Sequence, residues 1–170
     1  IGGRIVDNTA RYLTERVDFD GLRRCLRRQA KAAYRRKSLS SFGPHAPIKM
    51  VAIDGKVSRG KTRTDGGFPY FQADEQRRGK WLHGDVRTLS VVLVSAPATV
   101  YLDCVPVRAE TNEMGTFAEA FDQLVKDWGN TDLVELVSVD AGMTSLANAT
   151  LVDDAGVANR EVIKTPQRQI

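Results

Sequence analysis

Apolar residues along the 170-residue chain recur with two periods, and the switch between them marks out the elements. Leu22, Leu26, Ala30 and Ala33 recur at helical spacing and predict a helix over 18–37, which Asp18 or Asp20 can cap. Gly43, Pro44 and Pro47 then mark a loop or linker over 38–47. Lys49-Met50-Val51-Ala52-Ile53 is a short apolar run halted at Asp54-Gly55, which reads as a buried strand ending in a turn. Residues 58–84 are polar and glycine-containing, with no helical period, and predict a long loop. Leu89 to Val94 and Thr99 to Val107 read as two strands of an antiparallel hairpin, with Ser95-Ala96-Pro97-Ala98 as its turn. Pro106 then belongs near a strand end or on a sheet edge.

Thr116 to Trp128 predicts a second helix. Thr116 and Glu119 have capping-box spacing, Phe117, Ala120, Phe121, Leu124 and Trp128 share one stripe, and Gly129-Asn130 ends it. Leu133 to Val139 is a fourth strand, closed by Asp140-Ala141-Gly142. Leu146 to Asp154 reads as helix, and Glu161 to Lys164 as a fifth strand. A hairpin leading into crossover helices makes the chain α/β: a mixed five-stranded sheet flanked by helices, with a basic N-terminal helix. We divide it into a basic helical segment and linker, 1–47, and a core, 48–170. No apolar run approaches the ~18 residues of a membrane span.

Charge changes the picture. The net of +4 conceals 16 Lys or Arg against 5 Asp or Glu in residues 1–64, a net of +11, and a net of −7 in the remainder. A basic front of this kind suits an anionic partner. Arg23, Arg24, Arg27, Arg28, Lys31 and Arg35 fall within an arc of roughly 140° on the first helix. A solvated helix face would look the same. Cys25 and Cys104 are too few for a disulfide framework; they suit a reducing cytosolic setting and read as small buried hydrophobes. Neither His45 nor His83 has a zinc-ligand partner at the usual spacing. The chain begins at Ile1 rather than Met and ends after Pro166-Gln167-Arg168-Gln169-Ile170 with no terminal cap, from which we expect a segment of a longer protein.

The candidate chemistry rests on two carboxylates. Asp54 ends the first strand and Asp140 the fourth. Side chains at strand ends emerge into the crevice where α/β sheets form sites. If those strands are neighbours, two carboxylates share a crevice, and they repel unless a proton or cation lies between them. Oxygen donors of this kind favour Mg²⁺ or Mn²⁺, and paired ions serve phosphoryl transfer. Asp-Gly is also a common turn pair, so turn caps remain the plainer alternative.

Four blocks carry a resemblance. Ala52-Ile53-Asp54-Gly55-Lys56-Val57-Ser58-Arg59-Gly60 resembles the "IDGKTLRGS" signature of DDE-type insertion-sequence transposases of the H-repeat-associated kind. Val107-Arg108-Ala109-Glu110-Thr111-Asn112-Glu113-Met114 is similar to that family's "VxxKSNEI", and Val137 to Met143 to its "vTxDA" strand. Ile163-Lys164-Thr165-Pro166-Gln167 resembles its "lKgNQ". The blocks occur in the family's order over about residues 49–170, with Glu110 in place of Lys and Thr-Pro in place of Gly-Asn.

The resemblance implies an RNase H-like core in which the first and fourth strands are adjacent. Asp54 and Asp140 become the first two catalytic, metal-ligating aspartates, binding Mg²⁺ or Mn²⁺ for hydrolysis and strand transfer at DNA phosphodiesters. Lys56, Arg59, Lys61 and Arg63 become phosphate contacts, alongside the cations of the first helix. DNA is the implied partner, a homodimer on paired element ends the implied assembly, and a bacterial, nucleoid-associated cytoplasmic protein the implied setting. The family's third acidic residue lies on a helix beyond the "lKgNQ" block, where this chain stops, so the implied core is incomplete. Two alternatives stay open: a non-catalytic DNA-binding remnant, and another RNase H-like nuclease.

Overall fold

The computed structural model describes residues 18–39, 48–63, 69–78, 81–96 and 99–161. Helix α1 spans Phe19–Arg35, and the Asp18 carboxylate accepts from the amides of Asp20 and Gly21 at its start. Strands β1 (Met50–Arg63), β2 (Phe71–Arg78), β3 (Trp81–Leu93) and β4 (Val100–Pro106) follow. Helix α2 (Glu113–Trp128), β5 (Leu136–Val139), a 3₁₀ turn (Ala141–Met143), α3 (Leu146–Asp154) and β6 (Ala158–Glu161) complete the order.

One mixed six-stranded sheet contains every strand, with β2-β3-β1-β5-β6 as its main path. β3 runs antiparallel to β1 along its whole length. Its other edge is divided: Trp81 to Val86 takes β2, and Thr88 to Leu93 takes β4. β5 and β6 add in parallel on the far side of β1. The first and fourth strands of the expected core, β1 and β5, are thus neighbours.

Strand alternation explains which face is covered. Val51 and Ile53 of β1, and Leu89, Val91 and Leu93 of β3, are fully buried on one face. The predicted α2 stripe covers that face: Phe117, Ala120, Phe121, Leu124 and Trp128 all belong to the core. Each large side chain among them contributes about 1.5–3 kcal/mol of burial. α1 packs into the same cluster through Ala30, and Tyr34 meets the Trp128 ring edge-on at 5.7 Å.

Several expectations change. Much of the predicted loop 58–84 is strand: β1 runs on to Arg63, β2 is a sixth strand, and β3 begins at Trp81. These residues alternate poorly because both faces of the extension meet solvent at many positions, so no period-2 signal forms. The Thr116–Glu119 capping box does not form. α2 starts one turn earlier, with Asn112 accepting from the Gly115 amide at 2.9 Å, and the Thr116 hydroxyl donates back to the Asn112 carbonyl. β6 precedes the predicted fifth strand, sharing only Glu161 with it; residues 162–164 lie outside the described residues. Cys25 is exposed rather than buried, and Cys104 is half-buried; both are free thiols.

Candidate functional site

The parallel β1–β5 ladder builds the centre of the site. Ile53 pairs with Val139 as its last register position, so Asp54 and Asp140 stand next in line on neighbouring strands. Adjacent strands lie about 4.8 Å apart. Ile53 and Val139 are both buried on the helix-covered face, so alternation puts Asp54 and Asp140 together on the other face. Asp54 is exposed and Asp140 half-buried. After Asp140 the chain bends into the 3₁₀ turn, where the Met143 amide donates to the Asp140 carbonyl at 2.9 Å. β1 does not bend. It carries Asp54 straight into the projecting ribbon of β1, β3 and β2.

A third carboxylate closes on the same stretch of β1. A Cβ on Gly55 would overlap the carboxylate of Glu113, the first residue of α2. Gly55 follows Ile53 on the helix-covered face, so Glu113 lies against β1 on the face opposite Asp54. Sequence reasoning used Glu113 only as part of the "TNE" block; the signal for its placement was Asn112, a strong N-cap residue directly before it. Among the described residues no three His, Cys, Asp or Glu side chains converge as a metal-binding group.

The cations of the ribbon are unevenly engaged. Lys56 Nζ donates to the Tyr101 hydroxyl at 3.4 Å. Arg59 forks between Asp74 on β2 and Asp85 on β3. Lys61 Nζ lies 5.0 Å from the Trp81 ring centre, a cation–π distance. Arg63 is the last residue of β1, in register with Trp81.

The cationic arc of α1 divides in two. At 100° per residue Arg23, Arg27 and Lys31 occupy its first ~80°, and Arg24, Arg28 and Arg35 the rest. The first three turn inward. Asp103 of β4 accepts from Arg23 Nε at 3.2 Å, Arg23 Nη2 at 2.9 Å and Arg27 Nη1 at 3.1 Å. Arg23 also reaches Glu119, while Arg27 and Lys31 reach Asp127, both acids on α2. Burial works against the Arg23 guanidinium, but its bonds to Asp103 and Glu119 prevail and hold its pKa above the ordinary value. The second three face outward: Arg24 pairs with Asp18, and Arg28 and Arg35 make no ion pair among the described residues. At the foot of α1 the exposed Asp132 accepts from Lys49 and Tyr34. Those bonds, Lys49 first, lower the Asp132 pKa, and the bond to Asp132 raises that of Tyr34.

No protein-family profile and no curated protein matches the chain. Among solved structures it is similar to the Mos1 strand transfer complex, with 16% identity and a TM-score of 0.38 over 81% of this chain and 39% of that one. It is also similar to a pre-cleavage Mos1 transpososome, with 13% identity and a TM-score of 0.29 over 94% of this chain and 46% of that one. The chain spans less than half the length of either.

Proposed function

We propose that the chain is the divalent-metal-dependent catalytic core of a DNA transposase, cutting and joining strands at the ends of an insertion element. The observation that carries this reading is the β1–β5 register, which sets Asp54, inside β1, next to Asp140, just past the end of β5, on one face. Their oxygen donors suit a hard cation such as Mg²⁺ or Mn²⁺, and no third carboxylate converges on them among the described residues. A bound ion of that kind supplies Lewis acidity toward a phosphate oxygen. The chain's own residues do the rest: Asp54 and Asp140 anchor the charge, and Lys56 and Lys61 offer ammonium groups to the flanking phosphates. On α1 the outward Arg24, Arg28 and Arg35 extend the positive surface, whereas Arg23, Arg27 and Lys31 are committed to Asp103, Glu119 and Asp127.

The test is nicking of supercoiled plasmid in Mn²⁺, with Mn²⁺ binding followed by calorimetry. Asp54→Asn and Asp140→Asn should each abolish nicking and weaken Mn²⁺ binding. Nicking that survives in both variants overturns the two-aspartate reading. Arg28 and Arg35, which make no ion pair among the described residues, favour one second reading, a DNA-binding remnant without catalysis. That protein would show salt-sensitive DNA affinity unchanged by either Asp variant and no nicking in the parent chain.

A further inference from the structure

Two strands from Asp54, on the same face of the sheet, the structure holds an aromatic side chain that the proposed chemistry leaves unused. In the ladder Asp54, Ser90 and Cys104 form one cross-strand row. The row before it on that face is Ala52, Val92 and Tyr101, and the row after it contains Lys56 and Thr88. Lys56 Nζ nonetheless donates to the Tyr101 hydroxyl at 3.4 Å. The two side chains therefore reach diagonally across the Asp54 row, over β3. Ser90, in the middle of that row, is only 3% exposed although it lies on the face away from α2.

The lysine does not cover the ring. Its Nζ is 5.9 Å from the ring centre but 3.4 Å from the hydroxyl oxygen. The 2.5 Å difference nearly spans the path from ring centre to oxygen. Nζ therefore lies roughly in line beyond the hydroxyl, where it steers the phenol without capping its π-face. Tyr101 keeps 40% of its surface exposed. An exposed ring held by a cation, one row along and two strands across from Asp54, matches what a nucleotide requires: a flat surface for the base and an ammonium for its phosphate.

We infer that Tyr101 and Lys56 form a nucleotide seat, in which Tyr101 stacks on an unpaired base of the DNA strand and Lys56 contacts the adjoining phosphate. The inference rests on the proposed function in identifying the strand as DNA. Stacking selects an unpaired base because a base within a duplex already has its faces covered. The seat therefore favours frayed or single-stranded DNA over blunt duplex.

The experiment is fluorescence anisotropy on the parent chain and variants, with a labelled single-stranded oligonucleotide and the blunt duplex of the same sequence. Tyr101→Ala should weaken single-strand binding about tenfold and duplex binding less than twofold. Tyr101→Phe keeps the ring and should bind the single strand within twofold of the parent, which separates stacking from loss of the hydroxyl. Lys56→Met should weaken both ligands and lower the slope of log affinity against log salt by about one. Equal single-strand affinity of the parent and Tyr101→Ala, with matching urea midpoints, overturns the seat. So does an equal loss on both ligands. These outcomes are independent of the plasmid assay. A chain that nicks through Asp54 and Asp140 but ignores Tyr101→Ala loses the seat alone, and a chain with the seat but without Asp-dependent nicking loses the catalytic reading alone.

Discussion

Asp103→Asn removes the charge on which two α1 arginines converge. The Asp103 side chain is 6% exposed, and those of Arg23 and Arg27 are 10% and 19% exposed, so water can do little to replace it. Breaking one partner of a buried pair costs about 3–5 kcal/mol, because the surviving charge is left without compensation. Two contacts soften that loss. Arg23 keeps Glu119 at 3.1 Å, and Arg27 keeps Asp127 at 3.5 Å. Asparagine also retains one acceptor oxygen. A destabilisation of about 2–3 kcal/mol remains. Urea unfolding followed by circular dichroism measures it, and a cycle with Arg23→Met isolates the pair, with an expected coupling of about 1–2 kcal/mol. If Asp103→Asn unfolds within 0.5 kcal/mol of the parent, these bonds do not hold α1 to the sheet, and Arg23 and Arg27 return to the pool of DNA contacts.

Gly55→Ala should cost less than about 1 kcal/mol in urea unfolding, because the Glu113 carboxylate that a Cβ would meet is the far end of a flexible side chain and can swing aside; a cost of about 3 kcal/mol refutes that freedom. Gly84→Ala drives a Cβ into the Gln72 carbonyl, which is backbone and cannot swing away, so amide exchange over 71–78 should accelerate while the core stays protected. Trp128→Phe should cost about 1–2 kcal/mol, partly from the lost edge-on contact with Tyr34, as measured by thermal unfolding. At the foot of α1, the depressed Asp132 pKa stabilises the fold above the ordinary value of 3.8, and that stability goes as pH falls through the lowered value. The raised Tyr34 pKa stabilises it below 10.0, and that is lost as pH climbs through the raised value. Asp132→Asn should therefore bring the Tyr34 titration, followed by tyrosinate absorbance against a Tyr34→Phe control, back toward 10.0; an unmoved titration refutes the bond.

Elements with one buried face were legible in the sequence. Val51 and Ile53, Leu89 to Leu93 and the Phe117–Trp128 stripe carry the period of the surface they cover, so the start of β1, the β3–β4 hairpin and most of α2 could be read directly. The ribbon could not: with solvent on both faces, hydrophobicity does not alternate, and cross-strand pairing leaves no local mark. The division of the α1 arc was invisible for another reason. A cationic arc turned toward phosphates and one turned toward Asp103 and Asp127 have the same helical wheel, and the deciding acids lie 76 or more residues downstream. Asp140 was legible as a strand end, whereas Asp54, expected to end its strand at the Asp54-Gly55 pair, lies inside β1, which runs on to Arg63. Their juxtaposition had to come from strand order, and Glu113 escaped because Thr116 and Glu119 offered a rival helix start.

The parallel pairing of β1 with β5 also dictates an order of assembly. Its first partners, Met50 and Leu136, are 86 residues apart in sequence, whereas the innermost β1–β3 partners Arg63 and Trp81, with β2 between them, are 18 apart. Closing the longer loop costs more entropy, and non-local parallel pairs form slowly. A nascent chain that has emerged through β4 already holds every partner of the β1–β3 ladder, whereas Asp140 follows only after the whole of α2 has been made. The carboxylate pair is therefore the product of a long-range contact, and its assembly depends on the far end of the sheet closing.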